Sequence, residues 1–160
     1  MIDVKELLAG GRREGVTLEA KQATGGLPES LWETYSSFAN TLGGVILLGV
    51  EELPDRTLRP CGLYDAPEML AEILRTLEDP AQVSRNVIPA DGAYIQQVDG
   101  RNIIVLEVPE APLEWKPVYL CGDRERESYV RSGDGDYRAQ CDTGVPLAEI
   151  QRGAPPEDKA

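Results

Sequence analysis

The residues whose types and spacing could do chemistry are mostly acidic. Glu14 and Glu19 stand five apart, Lys21 follows two residues later, and Glu51 and Glu52 come at the end of a long apolar run. Carboxylates in such a set can hold one or two hard divalent ions, and Mg²⁺ or Mn²⁺ held that way polarises a phosphodiester and activates water. A lysine two residues after a glutamate shares its face of an extended strand and would steady charge developing on phosphate. On this reading Glu14, Glu19 and Glu51 or Glu52 are metal ligands and catalytic groups, with Lys21 as electrostatic helper. The same residues also read as a solvated ion-pairing face, which contributes little.

A second set is basic: Arg12, Arg13, Lys21, Lys116 and Arg131, with Arg138 as an outlying member. Arginine forks match phosphate oxygens, so these residues form the candidate nucleic-acid surface. Their alternative role is to neutralise neighbouring acids.

Composition limits the chemistry available. The chain has no histidine, which removes serine triads, cysteine-histidine nucleophiles and imidazole bases together. Its formal net charge of -12 argues against indiscriminate binding to nucleic acid, so any such surface must be local. Three cysteines, widely spaced, form neither a disulfide framework nor a paired zinc motif. No apolar run approaches the roughly 18 residues of a membrane span, and no leader sequence opens the chain. The expected setting is a reduced cytoplasm, with no membrane partner.

The elements that must position these groups follow from periodicity. Leu31, Tyr35, Phe38, Ala39 and Leu42 recur at helical spacing, which predicts a helix from about Pro28 to Leu42, ended by positive-φ Gly43. Val45 to Val50 is an unbroken apolar run, as expected of a central strand covered on both faces, and Gly49 within it marks a close backbone approach. Glu51 and Glu52 then fall at the strand's carboxyl end, where open sheets place their chemistry. Thr17 to Lys21 alternates as a half-buried strand, and Glu14 converges on Glu19 only if the chain bends at Gly15. Asp65 caps a helix carrying Met69, Leu70, Ile73, Leu74 and Leu77. Ala93 to Val98 and Asn102 to Val108 read as a hairpin about Asp99-Gly100, and a second hairpin is expected between Val118 to Leu120 and Ser128 to Val130. Gly133-Asp134-Gly135-Asp136 reads as a plain turn. The aromatics Trp32, Trp115, Tyr119, Tyr129 and Tyr137 could stack on bases but read as packing residues.

Several of these segments resemble the Schlafen AlbA_2 family. Ser36 to Glu52, SSFANTLGGVILLGVEE, is similar to its helix, glycine pair, buried strand and acidic ending. Glu14 to Lys21 resembles its E-x4-E-x-K segment, and Lys116-Pro117-Val118-Tyr119 with Ser128 to Gly133 resemble its later motifs. Ala20 replaces the family's aromatic residue and Glu51 replaces its aspartate.

The resemblance implies an α+β fold, a mixed β-sheet with helices packed on it; the domain is expected over residues 1–152, and 153–160, GAPPEDKA, reads as a disordered tail. It implies a nucleic-acid-binding domain, for DNA or RNA, in a regulatory or defence-linked role. In eukaryotic relatives that cleave RNA, the two glutamates and the later acid form the site, which implies the alternative of a Mg²⁺- or Mn²⁺-dependent nuclease using Glu14, Glu19 and Glu51. Schlafen-type cores pair two lobes, so a homodimeric interaction module is a third reading. Some relatives carry ATPase labels, yet this chain has no G-x4-G-K-[ST] loop.

Overall fold

The apolar run after Gly43 is enclosed on both sides, and the remaining elements are laid around it. The computed structural model describes residues 1–11, 13–140, 142–144 and 146–151. Its helices are α1 (Val4–Ala9), α2 (Ser30–Asn40), α3 (Ala66–Leu77) and α4 (Leu147–Gln151). Its strands are β1 (Leu18–Lys21), β2 (Gly44–Leu48), β3 (Val50–Glu52), β4 (Leu58–Pro60), β5 (Ala93–Val98), β6 (Arg101–Val108), β7 (Tyr129–Ser132) and β8 (Gly135–Arg138).

The main sheet has the order β1-β2-β6-β5, with β1 parallel to β2 and the other pairs antiparallel. The expected α+β fold, a mixed sheet with packed helices, is therefore present. Alternation along β2 explains its double burial. Ile46 and Leu48 join Leu31, Tyr35, Phe38 and Ile73 on the face covered by α2 and α3, whereas Leu47 joins Val4, Val50, Leu58 and Val105 under α1 and the β3–β4 hairpin.

Local chemistry accounts for the boundaries. Asp65 accepts from the Glu68 amide and starts α3, while Asp99 and Gly100, both at positive φ, turn β5 into β6. Gly43 ends the α2 connection at φ +73, and an added Cβ there would lie 2.8 Å from backbone at Glu110 and Val108.

Two expectations require correction. The apolar run is not one strand to Val50: at Gly49, φ +89, it breaks into β2 and β3. The Gly49 amide donates to the Lys21 carbonyl while its own carbonyl accepts from Cys61 and Gly62, so the backbone leaves the main sheet there. β3 then pairs with β4 in a separate two-stranded sheet.

Similarly, Val118 to Leu120 and Ser128 to Val130 form no continuous hairpin. Only the isolated bridge Tyr119–Ser128 joins them, and β7 instead pairs with β8 across Gly133-Asp134. The side chains of Ser36 and Asn40 bond the backbone of Val118 and Tyr129, which holds both segments against α2. The proposed tail, 153–160, lies outside the described residues.

Candidate functional site

Gly15 bridges back to Leu18, and its amide donates to the Leu18 carbonyl, forming the bend on which convergence of Glu14 and Glu19 depends. The Glu14 carboxylate accepts from the Ala20 amide at 2.9 Å, which brings it beside Glu19 on β1. Burial, followed by a proton shared with the Glu14 carboxyl, raises Glu19 from 4.5 to about 7; the charges of Lys21 and Arg131 oppose the rise. Glu19 can therefore exchange a proton near neutrality. Lys21 lies along the same strand and donates to the Ser30 hydroxyl at 3.0 Å, at the start of α2.

Beneath the acid pair lies Arg131, which is fully buried. It reaches from β7 to four acceptors: Glu19 at 2.9 Å, Asp136 at 2.8 Å, and the carbonyls of Gly15 and Leu18. Its guanidinium also stacks over Phe38, 4.9 Å from the ring centre. Asp136 in turn accepts from the hydroxyls of Thr34 and Ser37 on α2. One guanidinium thus ties β1, α2 and the β7–β8 hairpin together.

This burial corrects the assignment of Arg131 to a nucleic-acid surface, because its donors are engaged internally and none faces solvent. Lys116 needs the same correction. Its ammonium is buried and bonded to Glu110. Of the expected basic set, Arg13 and Lys21 remain accessible, and Arg12 lies outside the described residues. Arg138 is exposed but engages Glu127 and the Tyr129 hydroxyl.

The third carboxylate is placed differently from expectation. Glu51 faces Arg59 across the β3–β4 ladder and accepts from both its Nε and Nη2, while Gln22 donates to its other oxygen. Among the described residues no group of three or more acids and cysteines is arranged to hold a metal ion. Glu14 and Glu19 form a pair that Arg131 already partly neutralises, and Glu51 belongs to a different pairing. These residues do not fit the three-glutamate Mg²⁺ or Mn²⁺ centre, because the break at Gly49 directs Glu51 toward Arg59.

The Glu51–Arg59 pair forms one wall of an open cleft of about 430 Å³ that also exposes Pro60, Cys61 and Arg101. Arg101 has no ion-pair partner among the described residues. Arg56, at the tip of the same hairpin, pairs with Asp134 at 3.0 Å, and Arg13 contributes to holding Asp55 of that tip below its ordinary value, after the Thr57 hydroxyl and amide. The hairpin at the carboxyl end of β2 is thus bordered by arginines.

The family description "Schlafen, AlbA_2" matches residues 14–140. The chain belongs to the Schlafen AlbA_2 family. Among solved structures, this Schlafen AlbA_2 domain is similar to the N-terminal domain of a RecG-related protein from Nitrosomonas europaea, whose name describes it as a candidate ATP-dependent DNA helicase. The two share 28% identity with a TM-score of 0.60, over 86% of this chain and 94% of that one. The DIP2311 protein from Corynebacterium diphtheriae shares the fold at 18% identity and a TM-score of 0.58, over 95% of this chain and 31% of its own length. No curated protein matches the chain.

Sequence reasoning missed Asp136, whose Gly-Asp-Gly-Asp setting has the composition of a turn. Its signal was the spacing Arg131 to Asp136, which places the two as cross-strand partners in a tight hairpin. Arg59 and Arg101 were missed as well, because nothing local distinguishes them until the hairpin and β6 bring them to one cleft.

Proposed function

We propose that this Schlafen AlbA_2 domain binds nucleic acid, with duplex DNA as the first ligand, through the arginine-bordered cleft beside the β3–β4 hairpin. The observation that carries this reading is the convergence of Arg59 and the unpaired Arg101 on one open cleft of a strongly acidic chain. With Glu51 balancing Arg59, Arg101 leaves the cleft a local excess of positive charge that the net charge of the chain conceals. The relative from N. europaea, named for a DNA helicase, supports DNA as the polymer to try first. Arg13 and Lys21 are further accessible cations, outside the cleft lining.

Arg101 is the cleaner probe, because Arg59 is shared with Glu51. A mobility-shift titration with duplex DNA should show weaker binding for Arg101→Ala than for the parent by about 1 kcal/mol, as expected when one guanidinium no longer pairs with a phosphate. Equal retention of DNA by the two proteins removes the cleft as the binding surface.

A further inference from the structure

We infer a second ligand site, for the phosphate-bearing end of a ribonucleotide, in the cavity between Ser84-Arg85 and the chain from Glu114 to Arg124. This cavity, about 230 Å³, is lined by Ser84, Arg85, Glu114, Trp115, Tyr119 and Arg124 among others. Its walls are fixed to each other: the Ser84 amide donates to the Tyr119 carbonyl and the Tyr119 amide donates to the Ser84 hydroxyl oxygen, both at 2.9 Å. Arg85 lies over the Trp115 indole, 5.1 Å from the ring centre, so its guanidinium is positioned before any ligand arrives.

The charge pattern identifies the ligand class. Neither Arg85 nor Arg124 has an ion-pair partner among the described residues, although the chain has 28 acids against 16 lysines and arginines. Lys116, on the same wall, is already neutralised by Glu110. Two guanidiniums without ion-pair partners among the described residues line one cavity, and a phosphate accepts from both forks. The Ser84 hydroxyl keeps its own hydrogen to donate.

Glu114 selects among phosphates. A bare anion meets its carboxylate unfavourably, whereas a ribose offers hydroxyls for that carboxylate to accept, as acidic residues do in dinucleotide sites. The cavity is smaller than the roughly 300–1,000 Å³ of most small-molecule sites. It therefore takes the phosphate and sugar and leaves the base at the aromatic rim of Trp115 and Tyr119.

The source of that phosphate is either a free nucleotide or the end of an RNA strand, and calorimetric titration of the full chain distinguishes them. The probes are adenosine 5′-monophosphate, inorganic phosphate, adenosine, and one oligoribonucleotide with a 5′-phosphate or a 5′-hydroxyl. Binding of the monophosphate, weaker binding of inorganic phosphate and none of adenosine are expected. Preference for the 5′-phosphorylated strand over the monophosphate assigns the site to RNA ends, and the reverse assigns it to free nucleotide.

Arg124→Gln, which removes a guanidinium with no ion-pair partner in the fold, should weaken binding roughly tenfold or more. Arg101→Ala, in the separate DNA cleft, should leave binding of the monophosphate unchanged. Absence of saturable binding by every phosphate probe at millimolar concentration, or equal binding by Arg124→Gln and the parent, overturns the proposal. Loss of duplex binding in Arg101→Ala bears on the cleft alone.

Discussion

Arg131→Met isolates the ion cluster beneath Glu14 and Glu19. Methionine keeps much of the volume and still touches Phe38 but removes the guanidinium. Asp136 then keeps only the Thr34 and Ser37 hydroxyls, Glu19 loses its 2.9 Å partner, and the Gly15 carbonyl loses its donor while the Leu18 carbonyl keeps only the Gly15 amide. Removing one partner of a buried ion pair destabilises by about 3–5 kcal/mol, because the remaining charges stay out of water.

Protonation sets where in that range the loss falls. Glu19, raised to about 7, can neutralise itself by taking a proton in mildly acidic solution, so the loss is near the lower figure at pH 6 and near the upper one at pH 8. For a chain of this length, about 2–4 °C accompany each kcal/mol, which gives a fall in Tm of roughly 6–20 °C. Urea denaturation followed by circular dichroism at the two pH values measures both effects. A loss below about 1 kcal/mol at pH 8 refutes the reasoning, since it would mean that Arg131 is not committed to the interior.

The other predictions concern the same framework. Because folding raises the Glu19 carboxyl from 4.5 to about 7, the folded chain binds more protons than the unfolded chain between those values, and stability falls as pH rises through that window. Glu19→Gln removes this slope and leaves Arg131 balanced by Asp136; at pH 8 it should match or exceed the parent by on the order of 1 kcal/mol, and an unchanged pH slope in urea titrations contradicts the assignment. Asn40→Ala leaves the Val118 amide and the Tyr129 carbonyl without their side-chain partner and should destabilise by about 2–4 kcal/mol; a calorimetric Tm within about 2 °C of the parent argues against that role.

What the sequence made legible follows from which forces act locally. The helical stripe, the Asp65 cap and the Asp99-Gly100 turn are short-range patterns, and all three recur in the structure, except that α2 ends at Asn40 and leaves Leu42, the last residue expected in the stripe, exposed. So is the bend at Gly15, which the convergence of Glu14 with Glu19 required. The break at Gly49 was read only as a close approach. Its consequence, a separate hairpin turning Glu51 toward Arg59, depends on backbone bonds to Cys61 and Gly62 that no window around Gly49 contains.

Arg131 and Lys116 looked like surface cations because most arginines and lysines are exposed. Their burial depends on Asp136 and Glu110, acids that resemble the many solvated acids of this chain. The Arg59–Arg101 cleft joins residues from different sheets, so its basic character appears only in three dimensions.

The salt dependence of duplex DNA binding, measured by fluorescence anisotropy for the parent and for the double variant Arg59→Ala/Arg101→Ala, tests the central claim most directly. Affinity should fall as salt rises, and the double variant should bind more weakly with a log-log slope smaller by about 1, the unit lost with Arg101, since the charge of Arg59 is balanced by Glu51. A parent that does not bind duplex DNA at low salt, or a double variant with the parent's affinity and slope, contradicts it.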